Sequence, residues 1–392
     1  MQADNKTALF FLEDEAVLFH EPAQKLFHLN TVAGVVWCLL EDGKDEQSIA
    51  SELQNICSIS ATDADRYLNE AEALFRQLGV LQDSGQSLPD NHPQAESAAI
   101  ESAHYGAPSF VAERRYRLLN SRFSLRFTHQ AHVAAAEPVF CHLRDKDATT
   151  PTVALDIVQD DKGRTVLYRD QVAVLTCDAA NQFVPLLKSL VWQTAILARE
   201  FFLDIHAGVV GDGKQCFLLP AAPGSGKSTL TATLVYHGFE YFSDEVALLH
   251  GSDFLVEPVP LAFCVKHTGV EILAPYFPEL ERVTEHLRGD GKRVRYMPPP
   301  AGSIPPFGTM RPVGAIIFPR YLPDQATTLK RIGALEALEL LMQECLIVDT
   351  HLDTDKVSSL LRWIGAMPCY RLSVVDLGQA VELIKGLSIA LR

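Results

Sequence analysis

Several common classes are excluded by what the sequence does not contain. No run of five or six basic residues occurs, and 49 Asp and Glu outnumber 34 Lys and Arg for a net charge of −15. Gripping a nucleic-acid backbone needs clustered Lys and Arg that displace counterions, so no nucleic-acid partner is expected. An acidic chain gains nothing from an anionic membrane, and the longest apolar runs fall well short of the roughly 20 residues of a membrane span. The opening M-Q-A-D-N-K-T lacks the cationic start and apolar core of a secretion signal. The eight cysteines are Cys38, Cys57, Cys141, Cys177, Cys216, Cys264, Cys345 and Cys369, widely scattered and without a C-x-x-C pair. That spacing suits neither a zinc site nor a disulfide framework, so the expected compartment is the reducing cytoplasm.

What is present is the composition of a globular protein, 47% hydrophobic and 21% charged over 392 residues, which is long enough for two or three domains. Residues 1–83 begin with three short strand-like runs, Ala8–Leu12, Ala16–His20 and Lys25–Leu29, separated by turn-forming residues. Three helices follow: Thr31–Leu40 capped by Asn30, Glu46–Asn55 capped by Asp45, and a third capped by Thr62 that carries Leu68, Ala71, Leu74, Phe75 and Leu78 at helical spacing and stops at Gly79. This is a small α+β module of winged-helix-like layout. Residues 84–110 are polar and proline-containing and read as a linker that leaves the two halves separable.

Residues 111–392 read as an α/β domain. Its β-rich opening region, 111–180, starts with an alternating strand over Tyr116–Phe127, and a long helix over Gln182–Phe202 comes next. Further on lie a strand at Val313–Phe318, helices near Ala334–Cys345 and Asp353–Ile364, and a last strand at Tyr370–Val374.

The chemistry centres on A-A-P-G-S-G-K-S-T-L at 221–230, directly after the apolar run Cys216–Leu219. Gly224, Ser225 and Gly226 permit a tight turn that aims backbone N–H groups at phosphate oxygens, and the next helix presents its positive end to the same anion. Pro223, Gly224, Ser225, Gly226, Lys227, Ser228 and Thr229 are the expected nucleotide-binding residues. Lys227 reaches the β and γ phosphates of ATP, and the Ser228 hydroxyl is placed to hold Mg²⁺. The first glycine of the usual G-x-x-x-x-G-K-[ST] pattern is replaced by Ala221.

Seventeen residues past Lys227, F-S-D-E-V-A-L-L puts the adjacent carboxylates Asp244 and Glu245 between two β runs. One carboxylate can organise a metal while the other accepts the proton of an attacking hydroxyl, as phosphoryl transfer to an alcohol requires. A solvated acidic turn is the plain alternative. Upstream, F-L-D-I-H-A-G-V-V sets His206 among small and apolar residues, where a packed core histidine and a catalytic one read alike.

In this order, H-A-G-V-V, A-P-G-S-G-K-S-T-L and F-S-D-E-V-A-L-L resemble the catalytic domain of the HPr serine kinase family. R-Y-R-L-L-N-S-R-F and I-I-F-P-R-Y-L-P extend the likeness to HPr-kinase-related proteins. The resemblance implies a P-loop kinase fold and catalytic roles for His206, Lys227 and Asp244. Asp244 would be the base and Glu245 would join Ser228 on the metal side, although the two acids can exchange roles. The family's Asn-, Arg- and Asp-rich signature loop has no counterpart, which leaves Arg320 or Arg311 to contact phosphate. Relatives form hexamers, which implies a homo-oligomer.

Residues 8–83, with K-L-F-H-L-N-T-V-A-G-V-V-W-C-L-L-E-D-G-K-D-E-Q-S-I-A-S-E-L, resemble PqqD-type modules that recognise precursor peptides. Such modules take a leader peptide as an added strand, here along Lys25, Leu26, Phe27, His28 and Leu29 with Arg66 on the third helix. A winged-helix DNA module is the alternative, but its helix carries more acids than bases. Together the resemblances imply a kinase that phosphorylates a Ser or Thr of a captured, ribosomally made precursor peptide. A small-molecule kinase or ATPase with an assembly module, and a nucleotide-binding peptide chaperone without turnover, stay open. The basic cluster Arg288, Lys292, Arg293 and Arg295 reads either as a solvated flap or as a contact for phosphate or acidic peptide.

Overall fold

The computed structural model describes every residue except 1, 4, 5, 83–105, 107, 148, 149, 223, 252, 345 and 348–350. Pro223 and most of the 84–110 linker therefore lie outside the described residues. The fold is mixed α/β, and among the described residues no helix is long and apolar enough to cross a membrane. The chain divides into two compact units. One comprises the described residues of Met1–Glu96 with Gly333–Glu339 and Val348–Met367; the other comprises those of Ser97–Ile332 with Leu340–Ile347 and Pro368–Arg392.

In the first unit, strands β1 (Thr7–Leu12), β2 (Glu15–His20) and β3 (Lys25–Leu29) form an antiparallel meander in the order β1-β2-β3. Strand alternation sends Ala16, Leu18 and Leu29 to one face, where α1 (Thr31–Glu41), α2 (Glu46–Cys57) and α3 (Ala61–Leu78) bury them around Trp37 and Phe75. Those two rings meet edge to face at 5.0 Å. Gly34 is required here, because a Cβ at that position would lie 2.9 Å from the Ala16 Cβ. Asn30 and Asp45 cap α1 and α2 as the sequence predicts, accepting from Ala33 N and Ser48 N at 2.8 Å each. For α3 the cap is Ser60 rather than Thr62: its hydroxyl accepts from Asp63 N at 3.1 Å and donates to the Asp63 carboxylate at 2.7 Å, which starts the helix earlier.

The opposite face of the meander, with Leu12, Val17 and Phe19, is buried as well. On this side helix Thr354–Ala366 packs against β1, so closely that a Cβ on Gly365 would lie 3.3 Å from Leu12 Cδ1. Gln24 exchanges hydrogen bonds with the Leu352 main chain at 2.9 and 2.7 Å, and Glu13 accepts from Ala334 N at 3.0 Å. The small module is thus a three-layer sandwich whose third layer comes from sequence more than 300 residues on, as the separation of 328 between Gln24 and Leu352 records.

The second unit opens with the sheet β4 (Ala112–Leu118), β5 (Ser121–Phe127), β6 (Val153–Gln159), β7 (Thr165–Arg169) and β8 (Val172–Cys177), ordered β8-β7-β6-β5-β4. The stretch expected to form one strand over Tyr116–Phe127 is a hairpin turned at Leu119, which takes a left-handed φ of 52°. Helices α4 (Gln130–Phe140), which contains Pro138 and is not legible in the sequence, and α5 (Phe183–Leu197) close this core. The second of these stops short of the expected Phe202, because Leu203–Ile205 turns into a strand.

The central sheet contains β9 (Ala207–Gly211), β10 (Cys216–Pro220), β11 (Glu240–Ser243), β15 (Val313–Tyr321), β16 (Thr328–Ile332) and β17 (Cys369–Val374) in the order β11-β9-β10-β15-β17-β16. Between β10 and β11 runs α6 (Lys227–Tyr236). A small sheet of β12 (Phe263–Lys266), β13 (Glu285–Leu287) and β14 (Arg293–Met297), with α7 (His267–Leu273) after β12, stands beside it. Helix α8 (Leu377–Ala390), another element the sequence reading lacks, follows β17 and is capped by Asp376.

Candidate active site

Strand direction assembles the site. Strands β10, β15 and β17 run parallel, and β9 runs antiparallel to both β10 and β11. The carboxyl ends of β10, β11, β15 and β17 therefore share one edge with the start of β9. Ligand crevices of open α/β sheets form outside such an edge. His206 immediately precedes β9, the phosphate-type loop follows β10, and Asp244 and Glu245 follow β11. Residues spread over 206–245 of the sequence thus line one cavity of about 850 Å³, within the usual size range of small-molecule sites.

The loop has the backbone its sequence predicts. Gly224 and Gly226 take φ of 102° and 89°, Gly226 occupies the N-cap of α6, and the Ser225 hydroxyl donates to the Ala222 carbonyl at 2.7 Å. Ala221, where the motif has its first glycine, is not among the described residues of positive φ. The missing glycine therefore costs the loop nothing there.

Lys227 is buried and its Nζ donates to His206 Nε2 at 3.0 Å. Burial, then the Lys227 charge, lower the His206 pKa to about 4, so the imidazole is neutral at pH 7. Asp244 is buried too. Burial raises its pKa to about 6, against the pull of Lys227, the Cys264 N–H and the Ser228 hydroxyl. Its Oδ2 accepts from Cys264 N at 3.1 Å, while its Oδ1 is buried with no partner in hydrogen-bond geometry.

Glu245 behaves oppositely. It is half-buried and ion-paired to Lys188, a buried lysine on α5. Burial works to raise the Glu245 pKa, but Lys188, together with Lys227 and Arg288, holds the carboxyl below the ordinary range. Burial likewise works to lower the Lys188 pKa, and Glu245, together with Cys264 and Asp244, keeps the ammonium charged. The sequence reading does not single out Lys188; its signal is the lone cation of F-V-P-L-L-K-S-L-V-W.

The two anticipated phosphate contacts do not line this cavity. Arg311 pairs with Glu240 at 3.5 Å, and Arg320 lies exposed on β15. Cations do reach the cavity from elsewhere: Lys266 from β12, and Arg288 and Lys292 from the turn between β13 and β14. Of the basic cluster seen in the sequence, these last two face the site.

No family model matches the chain, and no curated protein matches it. Among solved structures, the chain is similar to TbiB1 in complex with the TbiA(beta) leader peptide, at 24% identity, a TM-score of 0.20, and coverage of 22% of this chain and 99% of that one. The functional reading therefore rests on the site itself.

The expected peptide-binding residues lie on the other unit. Strand β3 pairs with β2 along one side and forms an edge of its sheet. Lys25 and His28 are exposed, Leu26 and Phe27 partly buried, and Leu29 buried. His28 contacts Glu15 at 3.1 Å and Glu339 at 3.6 Å. Arg66 is exposed on α3, where it pairs with Asp63 at 3.0 Å and packs over Tyr67. Among the described residues no cluster of three His, Cys, Asp or Glu side chains is arranged to hold a metal. A magnesium ion bound with nucleotide needs only one or two carboxylates, since phosphates and water complete its shell.

Proposed function

We propose that this chain is an ATP-dependent phosphotransferase that phosphorylates a Ser or Thr hydroxyl of a precursor peptide held by its N-terminal unit. The observation that carries the phosphotransfer is the convergence of the Gly224–Thr229 loop, Lys227, His206 and the Asp244–Glu245 pair on one cavity. The loop amides and Lys227 bind the triphosphate, and the start of α6 adds its positive dipole. Ser228 and Glu245, both hard oxygen donors lining the cavity, fit Mg²⁺ and would hold it. Bound there, the ion would supply positive charge to offset that of the phosphates.

Asp244 is the base. Its unpartnered Oδ1 and a pKa near 6 let it take a hydroxyl proton at neutral pH, while Lys188 keeps Glu245 ionised through Oε2 and leaves Oε1 for the metal. The acceptor oxygen attacks the γ phosphorus, the bond from that phosphorus to the β–γ bridging oxygen breaks, and ADP leaves with the electron pair. Asp244 keeps the proton. Neutral His206 accepts from Lys227 and so fixes the ammonium toward the phosphates. Peptide capture is supported by the edge strand β3, whose outer main-chain groups suit an added strand.

The test is incubation with γ-labelled ATP, Mg²⁺ and a short Ser/Thr-containing precursor peptide encoded near this gene. Label should appear on the peptide and fall by about 10²–10⁴-fold in Asp244→Asn, the range of a lost general base. Label recovered solely as inorganic phosphate would refute transfer to peptide.

A further inference from the structure

The cavity has two unlike flanks, and sheet order separates them. On one side of β10 stand β9 and β11, which deliver His206, Asp244 and Glu245; on the other stand β15 and β17. At this second flank the lining is largely apolar, with Asp376 as its one charged residue among those described. Tyr321 ends β15, Val375 follows β17, Leu377 starts α8, and Ile272 and Tyr276 face the same cavity from α7 and the turn after it. Tyr321, Ile272 and Val375 are 56%, 50% and 41% exposed. Large apolar side chains are seldom left open in a group, and such groups mark binding sites.

From β11 to β17 there are four strand steps, about 19 Å at the usual spacing of roughly 4.8 Å. With the reacting phosphate fixed at the β9–β11 side by Lys227 and Asp244, the rest of a nucleotide laid over the loop runs toward β15 and β17. Resting on the phosphotransferase reading, we infer that this apolar flank is a nucleobase subsite. The flat ring of the nucleotide packs between Ile272 and Tyr276 on one wall and Tyr321 and Val375 on the other. Aromatic and aliphatic walls suit a base, because each base offers an apolar face and stacking tolerates differences at its edge.

The subsite predicts that affinity for the phosphates and affinity for the base can be separated by mutation. Calorimetric titration of the full chain with Mg²⁺ and either ATP or inorganic tripolyphosphate reads the two apart. Tyr321→Ala and Val375→Glu change exposed positions outside the phosphate machinery. Each should weaken ATP about tenfold and leave tripolyphosphate unchanged, the scale of one lost stacking contact. Unchanged ATP affinity in both variants, or an equal loss of both ligands, would overturn the subsite. A wild-type chain that binds tripolyphosphate as tightly as ATP would overturn it too, while leaving the loop intact. Binding of neither ligand would sink the phosphotransferase reading, and the subsite with it.

Discussion

The two units bury different things. Among the described residues of the N-terminal unit, the interior is apolar apart from His20 and Glu72, and its helices are secured by caps at Asn30, Asp45 and Ser60. The second unit buries Asp156, Lys188, Lys227, Asp244 and Glu257. Charges taken out of water cost several kcal/mol each unless they are well paired, so each buried one calls for an account. Asp156 is held by Arg126, and Glu257 by Arg199 and His250. Asp244 differs from both, because its Oδ1 is left without a partner beside Lys227 and the loop. Buried charge is thus concentrated in the second unit, and incomplete pairing distinguishes Asp244 within it.

The largest test of this contrast is Lys188→Met. Removing the ammonium strands Glu245, which is still about a third exposed, so the expected loss is near the low end for a broken buried pair, about 3 kcal/mol. Urea unfolding reads it, and Lys188→Met/Glu245→Leu should recover most of the loss. A single variant as stable as the wild type would mean that the pair carries no weight.

Asp244→Asn should move stability the other way, in a pH-dependent manner. Because the folded-state pKa of about 6 lies above the ordinary 3.8, the folded protein holds this proton more tightly than the unfolded chain. That contribution is complete below about pH 4 and is lost as pH rises through 6. The midpoint of thermal unfolding of the Asn variant, relative to wild type, should therefore rise between pH 4 and pH 7. Phosphotransfer by the wild type should fall as pH drops below 6, where Asp244 is protonated. A relative midpoint that is flat or falls over this range contradicts the assignment.

In the N-terminal unit the counterpart is small. Ser60→Ala should cost about 1 kcal/mol by freeing the Asp63 N–H, and labelling of a peptide should be unchanged. A loss several times larger would place more of that unit's stability in its caps than in its core.

How much of this was legible follows from the range of the interactions concerned. The three strands and three helices of residues 7–78 are set by local spacing, turn residues and caps, and the loop at 224–229 is a contiguous motif. Thr62 reads as the α3 cap by residue type, but Ser60 and Asp63 make a reciprocal pair that puts the cap two residues earlier. The turn at Leu119 is not legible in the sequence, because a leucine in left-handed backbone gives no local sign. The role of Lys188 is not legible in the sequence, because its partner lies 57 residues away. Arg311 was a reasonable candidate by charge alone, but its antiparallel bridge to Val256 and its pairing with Glu240 tie it away from the cavity. The meeting of His206 with Lys227 depends on β9 running against β10, which no spacing in the sequence encodes.

The third layer of the N-terminal sandwich bears on how the protein is made. Strands β1 and β2 are translated before the central sheet, yet the helix that packs against β1 at Leu12 follows every strand of that sheet except β17. Until then one side of the meander is a greasy, uncovered surface. The third layer is thus translated more than 300 residues after the meander it covers, so this sandwich is completed with residues 351–366 and not by residues 7–78 alone.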